Sequence, residues 1–309
     1  MGFTIRDLSM STAWNYARVN SGEELVDQLL ALGFSQVELN YRVKEEWMPA
    51  VERYIAQGLV KISSVHNVFP MGDETLYGPD SVLLGYEDET LRRQAVELGK
   101  KSIDWAARLG AGAVVIHPTE VPLNPEIYDA PLKKMLCEGK RDTLEYRALY
   151  ARMCHARDAA PYLSRMMKSL DELSGYIVNN GLSVRLGIEN RAMCHQIPIF
   201  EEYHAILDRF EDGPVGVWID TGHAVMMAEL GLQALPLDER IADRIVGMHI
   251  HDAAQAKDHY APCTLPGDVL DPFRPYIERC PIRVLEISSR ISEAEIREGT
   301  KRLIEHYGQ

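Results

Sequence analysis

Acidic and imidazole side chains recur in this chain wherever a short apolar run gives way to loop. Glu38 stands in "QVELN", His66 closes "KISSVH", His117 follows "AVVI" and Glu189 follows "RLGI". Further on come Asp220 and His223 in "VGVWIDTGH", His249 and His251 in "IVGMHIHD", and Glu286 in "RVLEISS". An ionised carboxylate is costly at the edge of a core unless a cation answers its charge. Glu189, Asp220, His249 and Glu286 offer three carboxylates and one imidazole, a mainly hard set suited to Mn²⁺, Mg²⁺ or Co²⁺, with Zn²⁺ also open. Two glutamates facing each other across such an ion, Glu189 and Glu286, can remove and return a proton at carbon while the cation stabilises enediolate oxygens.

Taken singly, each residue has a plainer reading. Asp220 falls where the N-cap of the next helix belongs, Glu286 could pair with Arg283 or Arg290 on the surface, and a lone histidine at a strand end is usually a hydrogen-bonded residue. The recurrence at successive strand ends is what favours a shared site. Such convergence requires a particular frame. "SGEELVDQLLALGF" has Ser21 and Glu24 in capping spacing, with Leu25, Leu29 and Leu32 at helical intervals, which predicts a helix over 21–33. Seven strand-like runs follow a first strand in "FTIRDLSMS", each separated from the next by helical sequence. Eight strand–helix units predict a closed (β/α)₈ barrel over residues 1–309. The open-sheet alternative lacks a glycine-rich phosphate loop after its first strand.

One excursion is long. Residues 121–182, between the fourth and fifth strands, begin with the proline-rich "VPLNPEIYDAPL" and continue as helix through Leu163, Met166, Met167, Leu170, Leu173 and Ile177. The expectation is an enlarged helical insertion, its first half a lid, a subunit contact or simply an extended outer helix.

Bulk properties narrow the classes of function. The 309 residues carry 33 basic against 46 acidic side chains, a formal charge of −13, which argues against phosphate backbones and anionic membranes as partners. Neither a secretory leader nor an apolar run long enough to span a bilayer is legible. Five scattered cysteines without C-x-x-C spacing fit a reduced, cytoplasmic protein. A homo-oligomer is left open.

The motifs "GIENR", "WIDTGHA", "HIHDA" followed by "DHYAP", and "LEIS" together resemble the xylose isomerase-like barrel superfamily. That group includes sugar phosphate isomerases/epimerases, ketose 3-epimerases, inosose dehydratases and endonuclease IV. The resemblance implies a divalent metal on Glu189, Asp220, His249 and Glu286, Glu189 and Glu286 as acid/base pair, and His223 on substrate oxygens. His66, His117, His223, His251, His259 and Lys257 are then substrate contacts or further metal ligands. Lys257-Asp258-His259 departs from the Asp-x-His pair of the multi-zinc relatives, so its aspartate stands out of register. "APCTLPGD" replaces the usual glycine-rich close. No arginine lies between 245 and 273 to bind a sugar, and Lys257 is the substitute on offer, while Arg191 and Arg290, each following a key glutamate, could serve as a phosphate clamp. Glu38 and Asn190 are more distant candidates, and Trp14 is a sugar-ring wall or, better, simple core.

The implied function is metal-dependent isomerisation or epimerisation of a small polyhydroxy carbonyl compound, with a carbohydrate as partner. The alternatives are an endonuclease IV-like phosphodiester hydrolase, an inosose dehydratase-like lyase, and a sugar-binding protein that kept its ligands.

Overall fold

The structure is a computed structural model that describes residues 2–72, 83–231, 235 and 238–308. Among these residues the strands in chain order are β1 (Leu8–Ser11), β2 (Gln36–Leu39), β3 (Lys61–His66), β4 (Ala113–Ile116), β5 (Thr119–Glu120), β6 (Arg185–Glu189), β7 (Gln196–Ile197), β8 (Val215–Asp220), β9 (Ile245–His249), β10 (Asp252–Ala254), β11 (Lys257–Tyr260) and β12 (Arg283–Leu285). The helices are α1 (Gly22–Leu32), α2 (Met48–Ala56), α3 (Glu89–Leu109), α4 (Asp129–Cys137), α5 (Leu144–Asp158), α6 (Tyr162–Asn179), α7 (Phe200–Arg209), α8 (Thr221–Glu229), α9 (Glu239–Ala242), α10 (Arg274–Arg279) and α11 (Glu293–Tyr307).

Eight of the strands close into one parallel barrel in the order β1-β12-β9-β8-β6-β4-β3-β2, so the predicted (β/α)₈ architecture is what forms. Its strands are buried along nearly their whole length, β8 at all six positions, because helices cover the outside and side chains fill the inside. Helix α1 starts at the expected cap, with Glu24 N–H donating to Ser21 Oγ at 3.2 Å, and ends at Gly33 in the left-handed conformation.

Register decides which strand-end residues meet. Asp220 pairs with His249 across β8 and β9, and Glu38 with Ser64 across β2 and β3. Below this layer the fully buried Trp218 fills the barrel. It needs Gly247 on the neighbouring strand, since a Cβ there would lie 2.1 Å from Trp218 Cζ3.

Two small antiparallel sheets sit outside the barrel, and the strand-like runs did not foretell them. The first, β5 with β7, stitches the loop after β4 to the loop after β6. The second, β10 with β11, is a hairpin directly after His249.

The insertion divides in two. Helix α6 is the barrel's own helix, laying Met166, Leu170, Leu173 and Ile177 inward, with Leu163 and Met167 half-buried. Helices α4 and α5 are the addition, with a small core of Leu132, Met135, Tyr146 and Met153 against Cys194, Met227 and Leu230. They therefore brace α8 and the loop after β6. Arg157 fastens α5 there, donating to Glu202 at 2.7 and 2.8 Å and to the Gln196 carbonyl at 3.1 Å. No helix among the described residues is long and apolar enough to cross a membrane.

Candidate metal centre

Among the described residues, three groups of side chains at or beyond the C-terminal ends of the barrel strands could each hold a cation: Glu189 with Asp220, His249 and Glu286; His66 with His117 and Glu189; and His223 with Asp258 and His259. Within each group the donor atoms lie within 4.8 Å of one another. Glu189 belongs to two of them.

The first group is built around His249. Its Nδ1 lies 3.1 Å from Glu286 Oε2, 3.3 Å from Glu189 Oε1 and 3.6 Å from Asp220 Oδ2. Its Nε2 faces Glu38 at 3.1 and 3.2 Å, and Glu38 is itself held by Ser64 Oγ at 2.8 Å. A carboxylate on the far nitrogen orients the ring and raises its basicity at the near one, as in carboxylate–histidine–metal arrangements. Glu38 is therefore a support for His249, a role that strand-end position alone does not reveal.

The same device recurs on the other rings. His66 turns Nδ1 to the Asn67 carbonyl at 3.1 Å and Nε2 to Glu189 Oε2 at 3.5 Å, and His117 Nε2 reaches that oxygen at 2.7 Å. His223 gives Nδ1 to the Asn190 carbonyl at 2.9 Å and faces Asp258 Oδ2 with Nε2 at 3.6 Å. His259 gives Nδ1 to the Glu286 carbonyl at 3.0 Å, while its Nε2 lies 3.8 Å from Asp258 Oδ1. In His66, His223 and His259 alike, one nitrogen is fixed by a backbone carbonyl and the other points into a group.

Three carboxylates of the first group are fully or nearly buried side by side, with Glu189 and Asp220 at 0% exposure and Glu286 at 7%. Burial alone would raise the Glu189 carboxyl, but the imidazoles of His117 and His249 hold it well below its ordinary value. Burial opposes ionisation of Asp220 as well, and His223, His251 and His249 override it. Glu189 Oε2 is buried yet has no well-aligned hydrogen-bond donor, although His117 Nε2 sits 2.7 Å away. A buried anionic oxygen within reach of two ring nitrogens, neither aligned as a donor to it, fits a metal ligand. The residues present thus suit divalent cations.

Asp258 joins through the hairpin. Strand alternation would turn residues 258 and 259 to opposite faces, but His259 has φ +59°, in the left-handed region, and alternation breaks there. Both side chains then face His223, so the apparent register mismatch of "KDH" is absorbed by the backbone. Asp252 holds the following loop, accepting from the N–H groups of Cys263, Thr264 and Leu265 at 2.8 to 3.0 Å.

Not every sequence-level candidate joins a group. His251 has both nitrogens committed: Nε2 to Asp220 Oδ2 at 3.0 Å, and Nδ1 accepting from His259 N–H at 2.9 Å. It orients Asp220, and Gly222 makes room for it, since a Cβ there would lie 2.1 Å from His251 Cε1. Lys257 is exposed on β11. Trp14 is core, 1% exposed and donating Nε1–H to the Ile291 carbonyl at 2.9 Å. Arg283 donates to the Ile277 and Glu278 carbonyls and Arg290 is exposed, so the surface-pair reading of Glu286 falls away. Asn190 ties β6 to β8, its Nδ2 donating to the Asp220 carbonyl at 3.0 Å and its Oδ1 accepting from Asp220 N–H at 2.8 Å.

Among known proteins, this chain is 24% identical over 251 residues to the uncharacterized protein y4fM of Sinorhizobium fredii, spanning 76% of this chain and 70% of that one. Its fold matches 3-keto-D-glucoside 4-epimerase, YcjR, from E. coli with a TM-score of 0.62 at 14% identity, over 96% of this chain and 98% of the other. Endonuclease IV from Thermus thermophilus matches with a TM-score of 0.55 at 17% identity, over 97% and 98%. A sugar epimerase and an endonuclease therefore share this barrel. Residues 26–275 match the family described as xylose isomerase-like TIM barrel, and the chain belongs to that family.

Proposed function

We propose that this chain is a multinuclear divalent-metal hydrolase that cleaves a phosphate ester of a small polyhydroxylated compound. The observation that carries this reading is the position of Glu189. Its Oε1 faces His249, while its Oε2 faces His117 and His66, so one carboxylate serves two donor groups. A carboxylate shared in this way can hold two cations at once, which phosphate-ester hydrolysis uses and isomerisation at carbon does not require. When bound, divalent cations at these groups neutralise phosphate charge, polarise the ester and lower the pKa of water. Two imidazoles in each flanking group favour Zn²⁺, Mn²⁺ or Co²⁺ over Mg²⁺.

The protein's own residues supply the rest. Glu189 fixes the separation of two groups, and Glu38, Asn190 and His251 lock the orientations of His249, His223 and Asp220. Glu286, the least buried carboxylate of the first group, is the one positioned to accept a proton from water. The charge of −13 directs the reading toward small phosphate esters and away from duplex DNA.

A second reading, metal-dependent sugar isomerisation or epimerisation, has its own support: Glu189 and Glu286 lie 3.3 and 3.1 Å from the same His249 nitrogen and flank whatever occupies that position. The two separate on substrate. Metal-loaded protein is assayed on bis(p-nitrophenyl) phosphate, sugar phosphates, free ketoses and an abasic oligonucleotide. Phosphate-ester cleavage without ketose turnover is expected, and ketose interconversion without ester cleavage would overturn the hydrolytic reading in favour of the second.

A further inference from the structure

Asp220 reaches both imidazoles of the His223–Asp258–His259 group, by different routes. Its Oδ1 accepts the His223 N–H at 2.7 Å, and its Oδ2 accepts from His251 Nε2 at 3.0 Å. The roles on the His251 ring follow from its other nitrogen. Nδ1 faces the His259 N–H at 2.9 Å, a backbone group that can only donate, so Nδ1 accepts and the ring hydrogen stands on Nε2. His251 thus runs from the Asp220 carboxylate to the backbone of a residue in a different donor group. Its ring also stacks on that of His259, with centroids 4.4 Å apart and planes inclined by 29°.

The ring has little room to move. It is fully buried, Gly222 lies against it, and Thr221 Oγ1 clamps its backbone, donating to the carbonyl at 2.8 Å and accepting from the N–H at 3.1 Å. The β10–β11 hairpin is the yielding partner. Gln255, Ala256 and His259 adopt left-handed backbone without being glycine, a conformation that persists where surrounding contacts hold it. At His259 the Ser288 N–H on the carbonyl and the Glu286 carbonyl on ring Nδ1 tie the hairpin to the end of β12. His251 adds a tie to Asp220.

We infer that His251 is a positioning residue that couples two of the cation groups: loading the Glu189–Asp220–His249–Glu286 group fixes the ring, the ring fixes His259, and the His223–Asp258–His259 group then binds its own cation more tightly. The inference rests on the multinuclear reading above and deepens it by making the hairpin group's loading depend on Asp220. A carboxylate oxygen has lone pairs for both a metal bond and the His251 N–H, so the link survives loading. Ordering that the first cation has already imposed need not be imposed again by the second.

The experiment titrates Zn²⁺ into metal-free protein carrying histidine, glutamine or asparagine at position 251. Glutamine places a donor near the position of Nε2 and leaves the His259 N–H without its acceptor. Asparagine places an acceptor near the position of Nδ1 and stops short of Asp220. Affinity for the hairpin ion and total metal content are read in the full chain. Hydrogen exchange at the His259 amide is read in an Asp258→Ala background, where the hairpin group is incomplete. With histidine at 251, exchange is expected to slow about tenfold as Zn²⁺ loads. His251→Gln should exchange fast throughout and hold the hairpin ion about tenfold more weakly while keeping the others. His251→Asn should lose the response to Zn²⁺ although its hairpin contact remains, a loss that mere support of the hairpin would not produce. If His251→Gln fails to fold, His251→Asn carries the comparison. A full response in His251→Asn overturns the inference. So does an equally tight hairpin ion in His251→Gln, and so does loss of the first group's ion along with it, which would make His251 a support for Asp220 alone. Three ions per chain with His259 exchange indifferent to loading sinks the coupling and leaves the multinuclear reading. Fewer ions, none at the hairpin, with exchange that still slows through His251 sinks that reading and leaves the link standing.

Discussion

Asp220 has two oxygens and uses them for different ends. Oδ1 accepts the His223 N–H at 2.7 Å as the N-cap of α8, while Oδ2 faces His249 and His251, so the capping role of "DTGH" leaves an oxygen free to serve as a ligand. Replacing Glu189 with alanine should remove metal from two groups at once, a loss of about one or two ions per chain that elemental analysis would detect. Glu38→Gln should leave the fold intact and weaken metal binding about 10–100-fold, measured by chelator competition. Protons should compete with metal at His249. Burial alone would lower this imidazole, but Glu286, Glu38, Asp220 and Glu189 hold it well above its ordinary value, so a proton on the metal-free ring is favoured. Metal affinity should therefore rise with pH below the raised titration of this ring, by about tenfold per unit where one proton is displaced, and a flat profile would contradict the assignment. Stability of the metal-free protein has its own window. The depressed Glu189 and Asp220 contribute above their unfolded values of 4.5 and 3.8 and lose that contribution as pH falls. The raised His249 contributes fully below 6.5 and loses its contribution as pH rises through its folded value.

At the scale of elements, the β10–β11 hairpin carries Asp258 and His259, and Asp252 anchors it through three backbone N–H groups. Asp252→Ala would leave those donors without their acceptor, costing about 1–3 kcal/mol. The expected outcome is loss of the third cation with the other two retained, read from metal content alongside thermal melting. Gly247→Ala would press Trp218 from the neighbouring strand and is expected to cost about 1–3 kcal/mol, while also disturbing His249, whose ring centroid lies 5.1 Å from that of Trp218. Barrel strands and their helices were legible because each carries its own local signal: an apolar run, a helical period, a cap. The hairpin was not. Its geometry depends on left-handed residues at Gln255, Ala256 and His259, none of them glycine, so no turn residue in the sequence marks it. For the same reason Asp258 looked out of register.

At the scale of the molecule, closure of the barrel makes a site from residues nearly 250 positions apart, since Glu38 and Glu286 both meet His249. The sequence showed which strand ends carry acidic and imidazole side chains, and the barrel brings them within reach of one another. It could not reveal that Glu189 serves two groups or that Glu38 stands behind His249, since both depend on register and on which ring nitrogen faces which oxygen. The net charge of −13 should keep the protein off duplex DNA at physiological salt, so an abasic duplex is expected to be a far poorer substrate than a small phosphate ester. The most direct test of the account is metal stoichiometry: the purified chain, saturated with Zn²⁺ or Mn²⁺ and freed of excess, is analysed for metal per polypeptide. Two or three ions are expected, falling when Glu189 is replaced. A single ion, retained in a His66→Ala, His117→Ala double variant, would contradict the shared-carboxylate centre on which the proposed chemistry depends.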